Sequence, residues 1–400
     1  MTNIAEGGTR MSAKLFNRPM LILLAATFFY MTSIMMLGPI MAGFCAALGG
    51  GGVAMGLVAG LSNFSSLLCR PAVGGAIDRC NRRTVGLIGL GSMGLGAAIC
   101  CLAPNIPVLM CGRVFTGVGY AVSSGTLSTW VASSLPREHV GQGMGIYGMV
   151  QAVAQAISPA FGLALAARLS YRASCAMAAA CAAVGLLLIL PLRDAHYQAV
   201  RRAPAPKGAR PKRALLVPEL IPVACIILLF CMPYNGTSAF LATVAADRGL
   251  TFSVGSFFTI YAVLLLVVRF FLSRALDALP FRKFVLLAIP FGVGSMLCLH
   301  VMRSFGMMVA AALLLTMAYG MMQPVCQAAG IRSVSADRHG VANCTYYIGL
   351  DIGLAFGPTL SGALYGAVGE EKLFLVLAAV PVLSLAVLAV WRRTFDRLGL

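Results

Sequence analysis

The chain has 400 residues, 60% hydrophobic and only 10% charged, with a mean hydropathy of +0.89 and a formal net charge of +18. Ordinary soluble domains carry roughly a quarter charged residues, so a water-soluble globular protein is excluded. In a soluble protein this positive charge would suggest nucleic acid; in a chain this apolar its placement matters more than its total.

Apolar runs of about twenty residues, each able to cross a hydrocarbon core of about 30 Å as a helix, recur along nearly the whole chain. They predict helices at 19–43, 52–76, 84–103, 106–132, 142–166 and 172–192, then at 217–241, 255–276, 282–301, 304–330, 340–366 and 371–391. The expected fold class is an all-α integral membrane protein with 12 transmembrane helices. The first run begins near Arg18 and is too long, and too poorly followed by a cleavage site, for a removable signal peptide, so the amino terminus is expected to stay attached. With the helices so placed, 22 of the 30 Lys and Arg fall on one side, 5 on the other (Arg168, Arg172, Arg248, Arg303, Lys372) and 3 within helices (Arg70, Arg113, Arg269). Under the positive-inside rule both termini are cytoplasmic, and no nucleic-acid partner is expected. The thirteen cysteines lie mostly in apolar runs with no Cys-x-x-Cys pair, so they read as small apolar residues without a structural disulfide.

Between the second and third runs stands Arg70-Pro-Ala-Val-Gly-Gly-Ala-Ile-Asp-Arg-Cys-Asn-Arg-Arg83. A merely solvated basic loop explains the arginines but not the aspartate and glycines at these offsets. Gly74, Asp78, Arg79, Arg82 and Arg83 resemble the loop motif Gly-x-x-x-Asp-Arg-x-Gly-Arg-Arg of the major facilitator superfamily, with Asn81 at the usual glycine. Asn tolerates a left-handed backbone better than other non-glycine residues, so the turn is expected to survive. The resemblance implies two six-helix halves related by a pseudo-two-fold along the membrane normal, and a gating motif, Asp78 and Arg79 above all, that stabilises the outward-open state.

In the fourth helix, Arg113-Val-Phe-Thr-Gly117-Val-Gly119 resembles the family's Arg-x-x-x-Gly-x-Gly. An arginine inside such a run is expected to face the interior or an aqueous cavity, with snorkelling to the interface as the alternative. Before the fifth helix, Pro136-Arg-Glu-His-Val-Gly141-Gln-Gly143-Met-Gly145-Ile-Tyr147 resembles a bacterial exporter branch that includes sugar-efflux and opine-metallophore exporters, although Gln142 stands where that branch often has glutamate. This implies a bacterial inner (cytoplasmic) membrane. The fifth helix carries Ser158-Pro159-x-x-Gly162, a degenerate form of the family's antiporter motif, and the eleventh carries the better-formed Gly353-x-x-x-Gly357-Pro358. Small residues permit close helix approach and proline permits bending; glycine-mediated packing alone accounts for much of this pattern.

The basic, proline-rich stretch 193–216 reads as a cytoplasmic linker between an N-terminal half, 1–192, and a C-terminal half, 217–400. A shift of 199 residues places Arg70 on Arg269, Asp78 on Asp277, Arg83 on Arg282, Tyr120 on Tyr319, Gly141 on Gly340 and Pro159 on Pro358. The same architecture is therefore used twice, and Arg269, Asp277 and Arg282 read as a degenerate second gating motif.

Of the twelve acids only Asp351 falls inside a helix away from a loop motif. An ionisable group at that depth marks a substrate or proton pathway by default, so Asp351 is the proton-coupling candidate, with a structural hydrogen-bonded aspartate as the alternative. Candidate substrate-binding residues are Arg113, Tyr30, Asn63, Gln151, Gln155, Tyr234, Asn235, Gln323, Gln327, Tyr346 and Tyr347, polar or aromatic groups within apolar runs. Such a mixture suits a small amphipathic molecule. Arg113 and the scarcity of buried acid favour an anionic or zwitterionic one, while the methionines would equally give an adaptable wall for diverse ligands. The function expected is secondary transport by alternating access, proton-coupled export foremost, with an importer, an anion exchanger or a transporter-like sensor or channel as alternatives. No metal-ligand spacing, nucleophile elbow or nucleotide-binding loop appears, so no enzyme activity, metal or cofactor is expected. A monomer in the lipid bilayer is the expected state.

Overall fold

The computed structural model describes residues 18–135, 139–194, 215–250, 256–275 and 279–400. The first half comprises α1 (Arg18–Ala47), α2 (Gly52–Arg79), α3 (Arg82–Leu102), α4 (Ile106–Ser133), α5 (Val140–Arg168) and α6 (Tyr171–Ile189). The second opens with a 3-10 turn, Pro218–Leu220, and continues with α7 (Ile221–Asp247), α8 (Ser256–Ala275) and α9 (Phe281–His300). Helix α10 (Phe305–Arg332) contains a π turn at Thr316–Gly320. Helical bonding then runs from His339 to Val390, but Gly369 at φ 73° and ψ 178° divides it into α11 (339–368) and α12 (370–390). That positive φ is glycine's territory and turns the chain back into the bundle. A short α13 (Arg392–Leu398) closes the chain.

Nine helical stretches among the described residues are long and apolar enough to cross a membrane, including the run that Gly369 divides, and α8 carries a shorter apolar stretch, Ser256–Arg269. Large apolar side chains such as Leu68, Ile88, Leu187 and Val263 are exposed on the outside, where hydrocarbon replaces water as their solvent. All thirteen cysteines are free. The linker residues 195–214, Asp277 and the loop residues 136–138 lie outside the described residues.

Within the first half α3 packs on α4 and α6, and α1 on α5 and α6; within the second α7 packs on α11, and α8 and α9 on α10. Two seams join the halves, α2 against α11 and α5 against α8, with lesser contacts of α4 on α11 and α5 on α10. Small residues make the close approaches. A Cβ on Gly353 would stand 2.7 Å from the Cys231 Cβ, and one on Gly162 2.7 Å from the Met36 carbonyl. The glycines of the helix-bending motif thus serve close packing here, α11 on α7 and α5 on α1.

Asn81 keeps its turn by a different device from the one its sequence suggested. Its φ is −60° and ψ 117°, an extended conformation, and its side chain caps α3 by accepting the Arg83 N–H at 2.9 Å.

Candidate functional site

A cavity of about 180 Å³ opens between the halves. Its walls are built from residues four apart, which lie one above the other on a helix face: Met31 and Met35 of α1, Gln151 and Gln155 of α5, Tyr234 and Ser238 of α7. Helix α10 adds Tyr319 and Gln323, α11 adds Tyr347, Leu350 and Leu354, and Tyr120 and Asn235 complete the wall. Tyr319 sits in the π turn, a local irregularity that often marks functional positions. Its ring stacks on Tyr234 at 4.6 Å. Larger hollows of about 270 and 710 Å³ are lined by second-half residues, the first near Arg332 and Leu400 and the second near Arg248 and Glu370, away from the seams. The smaller cavity is the one lined by residues of both halves.

Behind Tyr120 and Tyr347 lies a buried ion pair across the α2–α11 seam. Arg70 Nε donates to Asp351 at 2.8 Å, with side chains 0% and 2% exposed. Ser66 donates to the same carboxylate at 3.0 Å, and Arg70 also reaches Ser124 Oγ at 2.7 Å and the Ala121 carbonyl at 3.1 Å. The guanidinium lies 4.2 Å from the Tyr347 ring centroid and 5.3 Å from that of Tyr120. A buried charge pair is tolerable only when its remaining donors and acceptors are met, and here both partners are held by several groups.

The seam is latched again at the end bearing Arg79, Arg82 and Arg83, the basic end of the bundle. Asp78 accepts the backbone N–H groups of Gly340 at 2.5 Å and Val341 at 2.9 Å, the first residues of α11. A carboxylate at a helix N-terminus satisfies orphan donors and complements the dipole. Gly74 makes this approach possible, since a Cβ there would lie 2.9 Å from the Val341 Cα. One turn further, Asn343 donates to Thr129 at 3.0 Å, to Gly125 at 3.3 Å and to Ser128, tying α11 to α4. It also accepts from Gln327 at 3.0 Å.

Across the α5–α8 seam, Arg269 donates to the Gly148 carbonyl of α5 and to Gln323 of α10. It is 1% exposed and makes no ion pair among the described residues.

Of the residues singled out in the sequence, Gln151, Gln155, Tyr234, Asn235, Gln323 and Tyr347 meet at the cavity. Tyr30 stands one layer behind, bonded to Gln151 and Tyr147 at 3.0 Å each. Gln327 belongs to the Asn343 network, and Tyr346 is buried with its hydroxyl unpartnered. Asn63 is exposed and does not line the cavity. Arg113 faces its own half: it donates to the Val58 and Ala59 carbonyls at 3.0 and 3.1 Å and to Ser62 at 2.5 Å. Among the described residues of the gating motifs, Gly74 and Asp78 are the ones that meet the other half at the basic end. Arg79 is exposed, Arg82 bonds Asp194 and Ser133 of its own half, and Arg282 pairs with Asp396 at 2.5 Å within the second half. Arg269, grouped in the sequence with the second gating motif and expected within a helix, is a buried residue of α8 in the α5–α8 seam. Sequence reasoning did not name Arg70, Tyr120, Tyr319 or Asn343 as site residues, although Arg70, Tyr120 and Tyr319 stood out in the repeat. For Arg70 a signal existed, because a lone intramembrane acid and an intramembrane arginine each need the other.

The family model described as Major Facilitator Superfamily matches residues 23–305 and 254–399. The chain is 23% identical over 349 residues to the uncharacterised transporter YhhS of Escherichia coli (strain K12), covering 84% of this chain and 82% of that one. It is 21% identical to Multidrug resistance protein 2 of Bacillus subtilis (strain 168), covering 93% and 94%. In fold it is similar to the crystal structure of the human organic anion transporter MFSD10, with a TM-score of 0.76 at 18% identity over 92% of this chain and 98% of that one. A helical bundle with nine stretches among the described residues long and apolar enough to cross a membrane, a cavity lined from both halves and this family match lead to one conclusion: the chain belongs to the Major Facilitator Superfamily and is a membrane transporter.

Proposed function

We propose that the protein exports a small amphipathic, anionic or zwitterionic molecule across a bacterial inner membrane in exchange for protons. The observation that carries this reading is the Arg70–Asp351 pair, which spans the seam directly behind two cavity tyrosines. Asp351 is in the second half and Arg70 in the first, so opening the basic end must separate them. A carboxylate stripped of its counter-charge in a low-dielectric site is tolerated as the neutral acid. The ionised pair therefore holds the basic end shut, and a proton reaching Asp351 from the opposite side releases it. By the positive-inside rule the basic end is cytoplasmic, so the proton moves inward as substrate moves outward. A cavity of about 180 Å³, below the ~300–1,000 Å³ common for small-molecule pockets, favours a small substrate in this state. The name of the Bacillus relative, Multidrug resistance protein 2, supports the export direction.

Comparison of metabolites retained by cells with and without the protein identifies the substrate. In proteoliposomes an imposed pH gradient then drives its accumulation by the wild type. Asp351→Asn loses that drive while retaining substrate exchange at equal pH. Full pH-driven transport by Asp351→Asn overturns the reading, and obligatory exchange indifferent to pH in the wild type replaces it with anion exchange.

A further inference from the structure

The two seams are pseudo-symmetric copies with different chemistry. The 199-residue shift that carries Arg70 onto Arg269 also carries Tyr120 onto Tyr319 and Ser124 onto Gln323. The structure repeats the contacts: Arg70 bonds Ser124 and lies over Tyr120, while Arg269 bonds Gln323 and has Tyr319 within electrostatic reach. On the facing helix the match ends. Asp351 corresponds to Ala152, and Tyr347 corresponds to Gly148. The second arginine thus has neither the carboxylate nor the ring that the first one has. Gly148 offers it only a backbone carbonyl, and Arg269 Nε is buried with no hydrogen-bond partner. A second unpartnered atom, the Tyr346 hydroxyl, belongs to a ring within electrostatic reach of the same guanidinium.

A guanidinium buried among uncharged groups is costly, and it is held at such a site most cheaply when an anion joins it. Arg269 is one side-chain layer from the cavity: its partner Gln323 lines it, and Gly148 is three residues from Gln151, which also lines it. We propose that Arg269 is an anion subsite, and that a carboxylate of the ligand takes the place that Asp351 fills in the other seam. The group missing from Ala152 is a carboxylate, and the planar fork of arginine matches one bidentately. Gln323 turns aside to admit it, and the rest of the ligand lies against the Gln151 and Gln155 wall. This deepens the reading of the cavity as a substrate site and moves the counter-charge from Arg113 to Arg269.

The test is equilibrium binding to the purified full-length protein without any gradient, so it is independent of proton coupling. Apparent affinities come from thermal-shift titrations with benzoate, salicylate and hexanoate, each beside its uncharged amide. The wild type is expected to respond to at least one acid and not to its amide. Arg269→Gln weakens that response about tenfold or more. Ala152→Asp, which supplies the missing carboxylate and keeps Arg269 satisfied, removes it in a folded protein. Arg113→Gln leaves it intact. A wild type that responds to none of the three acids, or equally to acids and amides, overturns the proposal, as does an unchanged response in Ala152→Asp. Absence of pH-driven flux with acid binding intact would instead sink the proton-coupled reading alone.

Discussion

The α2–α11 seam and the α5–α8 seam begin from the same buried arginine and end in opposite electrostatic conditions. In the first, Arg70 is neutralised within the protein by Asp351 and enclosed by Tyr120 and Tyr347. In the second, Arg269 meets a backbone carbonyl and an amide oxygen, with Ala152 and Gly148 where the acid and the ring would be. The difference teaches that duplication preserved the scaffold while the facing helices divided the work. The compensated seam joins the halves through an ion pair whose two members come from different halves. The uncompensated seam holds an arginine with no ion pair among the described residues.

The largest expected effect breaks the compensated seam. Asp351→Ala leaves Arg70 buried without its counter-charge and is expected to cost about 3–5 kcal/mol of stability, read as thermal unfolding in detergent. Replacing both partners by apolar residues, Arg70→Met with Asp351→Leu, is expected to recover most of that loss, because no orphaned charge remains. Arg269→Met breaks no pair and is expected to cost much less than Asp351→Ala, or to stabilise. If it costs as much, the two seams are not electrostatically different and the comparison fails.

Next is the latch at the basic end. Asp78→Asn loses two charge-assisted acceptor contacts to the start of α11, worth about 1.5–3 kcal/mol for hydrogen bonds to a charged group. Expression is expected to persist while cysteines introduced near Asn343 become more reactive from that end. Unchanged reactivity together with unchanged transport would remove Asp78 from gating.

Neighbouring glycines give a finer test. A Cβ on Gly74 would lie 2.9 Å from the α11 backbone, whereas one on Gly75 meets nothing within 4 Å. Gly74→Ala is expected to prise the seam apart at a cost of about 1–3 kcal/mol, and Gly75→Ala to be neutral or slightly stabilising through helix propensity. Equal effects on basic-end accessibility would show that the glycines act on α2 itself rather than on the seam. The smallest effect belongs to Arg79: being exposed, Arg79→Ala should change stability by less than about 0.5 kcal/mol. A large loss there would require a contact formed only in another state.

By itself the sequence determined the helices and their order. Transfer of apolar runs into hydrocarbon and hydrogen bonding within a single helix are local matters, which is why α4, expected at 106–132, is found at Ile106–Ser133. It also determined that α2 and α11 carry unusual groups, through the Gly74 and Asp78 spacing and the lone acid at Asp351. Tertiary structure decided what those groups do. Arg70 and Asp351 are 281 residues apart, and whether they meet depends on how α2 and α11 are rotated about their axes, which many weak packing contacts set together. The rotation of α4 likewise turned Arg113 onto the carbonyls of Val58 and Ala59, and that of α2 left Asn63 exposed. The rotation of α8 set Arg269, grouped in the sequence with the second gating motif, inside the α5–α8 seam. Composition records how many charges a membrane protein buries, but only the assembled helices decide which of them are compensated.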